Sequence, residues 1–310
     1  MSDSHIKESR AAARSGSPHG RAKSAAALIS IISNSSLVLL KLAAGFLTGS
    51  VAIMSEAVHS GMDLVAALMA YISVRVAEKP PDSHHPFGHG KAEFLAALFE
   101  ALLIIAAGGL IVCQAIKGFF NSEPLPELGW GAGVMLLSAV VNILVSRFLF
   151  RVGERTESAA LVADAWHLRT DVYTSLGVFA ALAGIMIGGR LAPDLDLHFL
   201  DPLCALIVAL MILKAGVKLS WEAVGQLLDH SLKPEDLELI ASHIQALEPR
   251  IKGCGEIKTR RSGSCRHIYV ELEVAAEMSV EEGHRLGVEL AESLREHFPD
   301  SQITFHLDPR

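Results

Sequence analysis

The run VAIMSEAVHSGMDLVAALMAYISV, residues 51–74, is apolar over a length that can cross a bilayer as one helix, yet it carries Glu56, His59 and Asp63 within it. A hydrocarbon core needs about 20 helical residues, because lipid offers no partner for an open backbone amide or carbonyl. Ionisable groups inside such a run are costly, so they mark an ion pathway by default. The three residues stand at i, i+3 and i+7, which places them on one helical stripe. The segment therefore predicts a membrane helix with a polar stripe.

Blocks of the same kind occupy residues 24–47, 51–76, 92–120, 128–150, 158–188 and 200–219, which predicts six transmembrane helices over a domain 24–221. The 310 residues are 51% hydrophobic with a mean hydropathy of +0.38, more apolar than a soluble chain of this length requires. After Trp221 the composition turns charged and mixed, and 222–310 reads as a soluble domain. Residues 1–23 carry five Lys or Arg among Ser, Gly and Ala without an apolar core, which reads as a disordered cytoplasmic tail. Asp3, Glu8 and the lack of an amphipathic stripe weigh against a mitochondrial presequence. The tail and the connections 75–91 and 147–155 are basic, whereas 121–127 and 190–201 are acidic, so both termini are expected in the cytoplasm. Cys113, Cys204, Cys254 and Cys265 form no CxxC motif, which fits a reducing compartment and no thiolate site. A net charge of -7 gives no nucleic-acid signal.

The fifth block repeats the pattern of the second. ADAWHLRTD at 163–171 aligns with SEAVHSGMD at 55–63, so Asp164, His167 and Asp171 stand at the spacing of Glu56, His59 and Asp63. His and Asp four residues apart lie one turn above each other. Two such helices face to face offer two imidazole nitrogens and two carboxylate oxygens, a tetrahedral set suited to Zn2+ and unlike the all-oxygen shells of Mg2+ or Ca2+. The competing reading is an interhelical hydrogen bond; two pairs in matching register favour the metal. His59, Asp63, His167 and Asp171 are the expected transport ligands. Glu56 and Asp164 would overcrowd four-coordination and are expected to support the ligands from behind. Arg169 is expected to pair with a neighbouring acid, and Lys41, Lys214 and Lys218 to be snorkelling or interhelical.

In the connection 79–91, Asp82, His85 and His89 can close on a second ion. The soluble part reads as helix 234–247, strand 256–261, a turn at 262–264, strand 267–274, a helix from Ser279 to before Pro299, and strand 302–306, a small α+β unit with one sheet face covered. Its open edges suit pairing with a second copy. Glu271, His284, His306 and Asp308 are its candidate ligands.

Taken together, residues 41–68, HPFGHGKAEF at 85–94, ADAWHLRTD at 163–171, TRRSGS at 259–264 and HLDP at 306–309 resemble the cation diffusion facilitator family of metal transporters. The resemblance covers residues 24–308. It implies six membrane spans, a ferredoxin-like cytoplasmic domain and a homodimer that exchanges cytoplasmic divalent metal for outside protons. It places His59, Asp63, His167 and Asp171 on the central site, Asp82, His85 and His89 on a loop site, and Glu271, His284, His306 and Asp308 on a cytoplasmic site. Zinc-selective relatives tend to carry His-x-x-x-Asp on both helices, as here. Gly255 and Glu271 stand where two-metal relatives have histidines, which argues against a full cytoplasmic site. Lys91 and Asp229 match a charge interlock between membrane and cytoplasmic halves. The connection 151–157 is too short for the histidine-rich loop of many eukaryotic members, so a bacterial inner membrane is expected.

The expected cycle follows from the ligands: neutral imidazole and ionised carboxylate bind metal, protons compete for the same atoms, and helices rock about a midplane site. Fe2+, Co2+, Cd2+ and Mn2+ are alternative cargoes. The rivals from other classes are a histidine-box metalloenzyme, which needs boxes beyond His85 and His89, and a membrane-anchored metal sensor, which needs no ligands in its spans. HExxH is missing, which speaks against a zincin protease.

Overall fold

The computed structural model describes residues 18–49, 51–120, 130–191 and 199–310, which fall into two compact units. The first is helical. Its helices are α1 (Pro18–Thr48), α2 (Val51–Ala77), α3 (Ala92–Phe120), α4 (Trp130–Arg155), α5 (Ala159–Leu191) and most of α6 (Leu200–Leu227). α1 lies along α2, α4 along α5, and α5 also packs on α3 and α2. Small residues make these contacts: Ala26, Ala27, Ala66, Ala67, Ala70, Ala101 and Ala163 are buried to completion. With lipid outside there is no hydrophobic drive between helices, so close backbone approach and van der Waals contact must hold them. The large side chains point outward instead, among them Leu39, Leu110, Leu144 and Ile207.

Among the described residues, five helices have spans long and apolar enough to cross a membrane: His19–Leu47, Glu56–Ala77, Ala92–Phe120, Gly133–Arg155 and Leu200–Leu227. α5, at 33 residues, is long enough but carries Asp164, Arg169 and Asp171 in its first half, and it is not among the five. α1 starts at Pro18, inside the segment expected to be a disordered tail, and Lys23 is buried there against Glu93. The rest of that tail, residues 1–17, and most of the acidic connections lie outside the described residues.

The second unit joins the connection Pro81–Lys91 to Val224–Arg310. It comprises α7 (Pro234–Gln245), β1 (Gly253–Ser262), β2 (Cys265–Val274), α8 (Val280–His297) and β3 (Ser301–Pro309). The order is the expected one, and all three strands run longer than the apolar alternation suggested. β1 pairs antiparallel with β2, and β2 parallel with β3, in the order β1-β2-β3. Gly263, at φ +63, opens the two-residue turn between β1 and β2, the left-handed first position that a tight hairpin reserves for glycine. α7 starts on Pro234, whose missing amide costs nothing at a first helical position. α8 starts on a capping box in which Ser279 and Glu282 satisfy each other's amides.

The period of two along β2 puts Ile268, Val270, Leu272 and Val274 on the face that α7 and α8 cover. Ile240, Ile244, Leu286, Leu290 and Leu294 complete this core. A side chain at Gly287 would land on the Phe305 ring, so glycine there is what lets α8 lie close on β3.

Candidate metal centre

Two helices of the first unit bring the principal ligands together. His59 and Asp63 sit one turn apart on α2, His167 and Asp171 one turn apart on α5, and the pairs cross. His167 Nε2 lies 3.2 Å from Asp63 Oδ1, and His59 Nε2 lies 3.9 Å from Asp171 Oδ1. One ligand atom each from His59, Asp63 and Asp171 falls within 4.8 Å of the others, a spacing that one ion can bridge. His167 joins this group through Asp63 and lies outside the common radius.

Burial is graded across the site: the Asp63 side chain is 7% exposed, His167 11%, Asp171 21% and His59 56%. The cavity therefore opens past His59 and closes behind Asp63. Among the described residues, Asp171 Oδ2 and His167 Nδ1 are buried without a hydrogen-bond partner, so the site holds unsatisfied polar capacity.

The supporting residues divide. Glu56 lines the same cavity, but its Oε2 accepts from the Lys41 ammonium at 3.1 Å, and that ammonium also donates to Ser60 Oγ at 2.8 Å. Lys41 is thus an interhelical anchor, one of the two roles the sequence allowed. Asp164 is fully buried one turn before His167, with His167, Asp63 and the equally buried Glu100 of α3 among its charged neighbours. Arg169 lies over the Phe150 ring, 5.2 Å from its centroid, where an acid was expected. Ser138 and Asn142 of α4 also line the cavity and were not singled out from the sequence. Their i, i+4 spacing in an otherwise apolar run was the available signal.

The second unit holds a second cluster. Asp82 Oδ1 accepts the backbone amides of His84 and His85 at 2.9 and 2.6 Å, a turn that folds the loop back on its own carboxylate. That carboxylate then lies 3.3 Å from His85 Nδ1 and 3.3 Å from His89 Nε2. The His85 amide above all, with the His84 amide and the facing His89, holds the Asp82 carboxyl below the usual range, the charged form a cation needs. One nitrogen or oxygen from each of the three residues falls within 4.8 Å of the others.

The loop is fastened to the sheet of its own unit. Phe87 meets the His267 ring edge-on at 5.7 Å and takes the Arg260 guanidinium on its face at 4.6 Å. Lys91 Nζ reaches Asp229 Oδ1 at 2.9 Å and the Leu227 carbonyl at 3.0 Å, and Arg260 reaches the same Asp229 oxygen at 3.2 Å. Partial burial pushes the Asp229 carboxyl up, but the two cations outweigh it and hold it below its ordinary value. Lys91 and Asp229 pair within this unit.

The sheet divides the four candidates of the soluble part. Glu271 pairs with His306 and Glu273 with Asp308 across β2 and β3, on the face away from the helices. His284 lies on α8, with its ring 6.1 Å from Phe305 on the covered side. Glu271 also crowds the position of Gly255, where any side chain would strike its carboxyl. Among the described residues no group of three potential ligand atoms forms in this part of the sheet.

Residues 27–228 match the family model of the cation efflux transmembrane domain, and residues 232–310 that of the cytoplasmic domain of cation efflux proteins. An uncharacterized transporter, sll1263, of Synechocystis sp. is 35% identical over 270 residues, 87% of this chain and 85% of its own. The cation-efflux pump FieF of Klebsiella pneumoniae is 32% identical over 291 residues, 94% of each chain. A solved structure of a candidate zinc transporter, CzrB, in its Zn form is 36% identical over 26% of this chain and 93% of that chain, with a TM-score of 0.26.

Proposed function

The chain belongs to the cation efflux family, whose members are membrane transporters rather than enzymes, and on that premise we propose that it exports divalent metal cations, Zn2+ foremost, in exchange for protons. The observation that carries the proposal is the crossed pairing of two His-x-x-x-Asp turns, with His167 3.2 Å from Asp63 and one ligand atom each of His59, Asp63 and Asp171 inside one ion's reach. Two nitrogens and two oxygens at a tetrahedral centre suit zinc. Fe2+, Co2+, Cd2+ and Mn2+ remain the alternative cargoes for a nitrogen and oxygen set.

Proton exchange follows from the same atoms, because imidazole and carboxylate bind either a proton or the metal. A site opened to a more acidic outside takes up protons and releases its ion, and one opened to the cytoplasm does the reverse. In this reading α5 is a sixth span whose charged first half is covered by α2 and α3. Asp82, His85 and His89 form a loop site, and Glu271 with His306 and Asp308 at most a partial one. The β-strands of the second unit have open edges, and this unit matches the cytoplasmic domain of the family, which supports a homodimer built through it as a ferredoxin-like module. An inner-membrane location with both termini inside completes the proposal.

The test is flux. In proteoliposomes, Asp63→Ala and Asp171→Ala should reduce zinc uptake to background while the variants purify as folded protein. Zinc uptake at the normal rate in either variant removes the site assignment, and zinc movement with no opposing pH change removes the exchange.

A further inference from the structure

Glu56 stands one turn before His59 on α2 and lines the same cavity as His59, Asp63 and Asp171. A carboxylate in that position is placed to become a fifth ligand. Its Oε2 is instead engaged at 3.1 Å by the Lys41 ammonium from α1. That ammonium is fixed at a second point, Ser60 Oγ at 2.8 Å, and Lys41 is only 5% exposed. A charge so buried has its partner chosen for it, because losing either contact leaves it uncompensated. Glu56, by contrast, has a side chain 39% exposed, and among the described residues its one ion pair is with Lys41.

We propose that Lys41 is a specificity-determining residue that keeps Glu56 out of the ion's coordination shell. The inference rests on the export reading of the transport site. With Glu56 held by Lys41, the ion meets two imidazoles and two carboxylates, a small set that favours Zn2+. With Glu56 released, a third carboxylate enters, coordination rises to five or six, and the balance moves toward oxygen-preferring ions such as Mn2+. Lys41 touches no ion and acts through Glu56, so it is a positioning residue.

The experiment compares initial Mn2+ and Zn2+ rates in proteoliposomes for the wild type, Lys41→Met, Glu56→Gln and the double variant Lys41→Met/Glu56→Gln. Lys41→Met should raise the Mn2+-to-Zn2+ ratio about 10-fold, the effect of one added ligand contact of ordinary strength. Glu56→Gln and the double variant should keep the wild-type ratio. An unchanged ratio in Lys41→Met overturns the proposal, and so does a ratio that stays raised in the double variant, since the lost charge would then act without Glu56. A second readout needs no change at Lys41. Co2+ bound to the chain carrying Asp82→Ala, which removes the loop site, should show the intense visible absorption of four-coordination. The weak spectrum of five- or six-coordinate Co2+, returning to the intense one when Glu56→Gln is added, would mean that Glu56 is already a ligand and overturn the proposal. Should the wild type move no zinc, it is the export reading that fails.

Discussion

Replacing Glu93 with alanine should destabilise the helical unit more than any change at an exposed ion pair. Glu93 Oε1 accepts from the Lys23 ammonium at 3.0 Å, and Oε2 accepts from the Ser158 hydroxyl, so one carboxylate ties α1 and α3 to the residue that leads into α5. The Lys23 and Glu93 side chains are 6% and 2% exposed, which leaves water little access to screen or rescue either charge. Removing one partner of a buried pair costs about 3–5 kcal/mol, because the remaining charge stays desolvated. Glu78 carries a charge close enough to Lys23 to take up part of it, which favours the lower end of that range. Replacing both partners by apolar residues removes the stranded charge, so Lys23→Met/Glu93→Leu should fall within about 1–2 kcal/mol of the wild type. The assay is reversible unfolding of the purified full chain in detergent, read as a double-mutant cycle. A loss under about 1 kcal/mol for Glu93→Ala, or a double variant as unstable as the sum of its singles, refutes the argument.

Two further outcomes concern the second unit. A Cβ at Gly90 would land on the Ser262 carbonyl oxygen, so Gly90→Ala should lift the loop from the hairpin and weaken metal binding at Asp82, His85 and His89. One ion fewer per chain by elemental analysis checks this, with zinc flux retained at Asp63 and Asp171; an unchanged ion count counts against the docking. Ser279→Ala should cost about 1 kcal/mol by removing the cap of α8, read as faster amide exchange in its first turn. The Ser279 amide, and then its hydroxyl, hold the Glu282 carboxyl below its ordinary value. The contribution of that contact is therefore complete above the unfolded carboxyl pKa of about 4.3 and is lost as pH falls through the lower folded value. Protection of that turn, taken relative to the intrinsic exchange rate at each pH, that does not fall below pH about 4 contradicts the assignment.

The periodicity of the chain alone determined a great deal. Apolar blocks near 20 residues must be helices in lipid, because no other open backbone is tolerated there, and alternation along 268–274 must be a strand with one covered face. The i, i+4 spacing put His59 over Asp63 and His167 over Asp171 before any contact was known. Sequence spacing carries no information about which turn of one helix meets which turn of another. Only the tertiary structure decided that the pairs cross, His167 to Asp63 and His59 to Asp171, and that Lys41 comes from α1 to take Glu56. Burial is likewise a property of the packed whole. Lys23 read as part of a basic tail because its charge is all the sequence shows, and it is buried because Glu93, 70 residues later, receives it. The same reason separates His284 from His306: they are near in sequence, but the sheet stands between them.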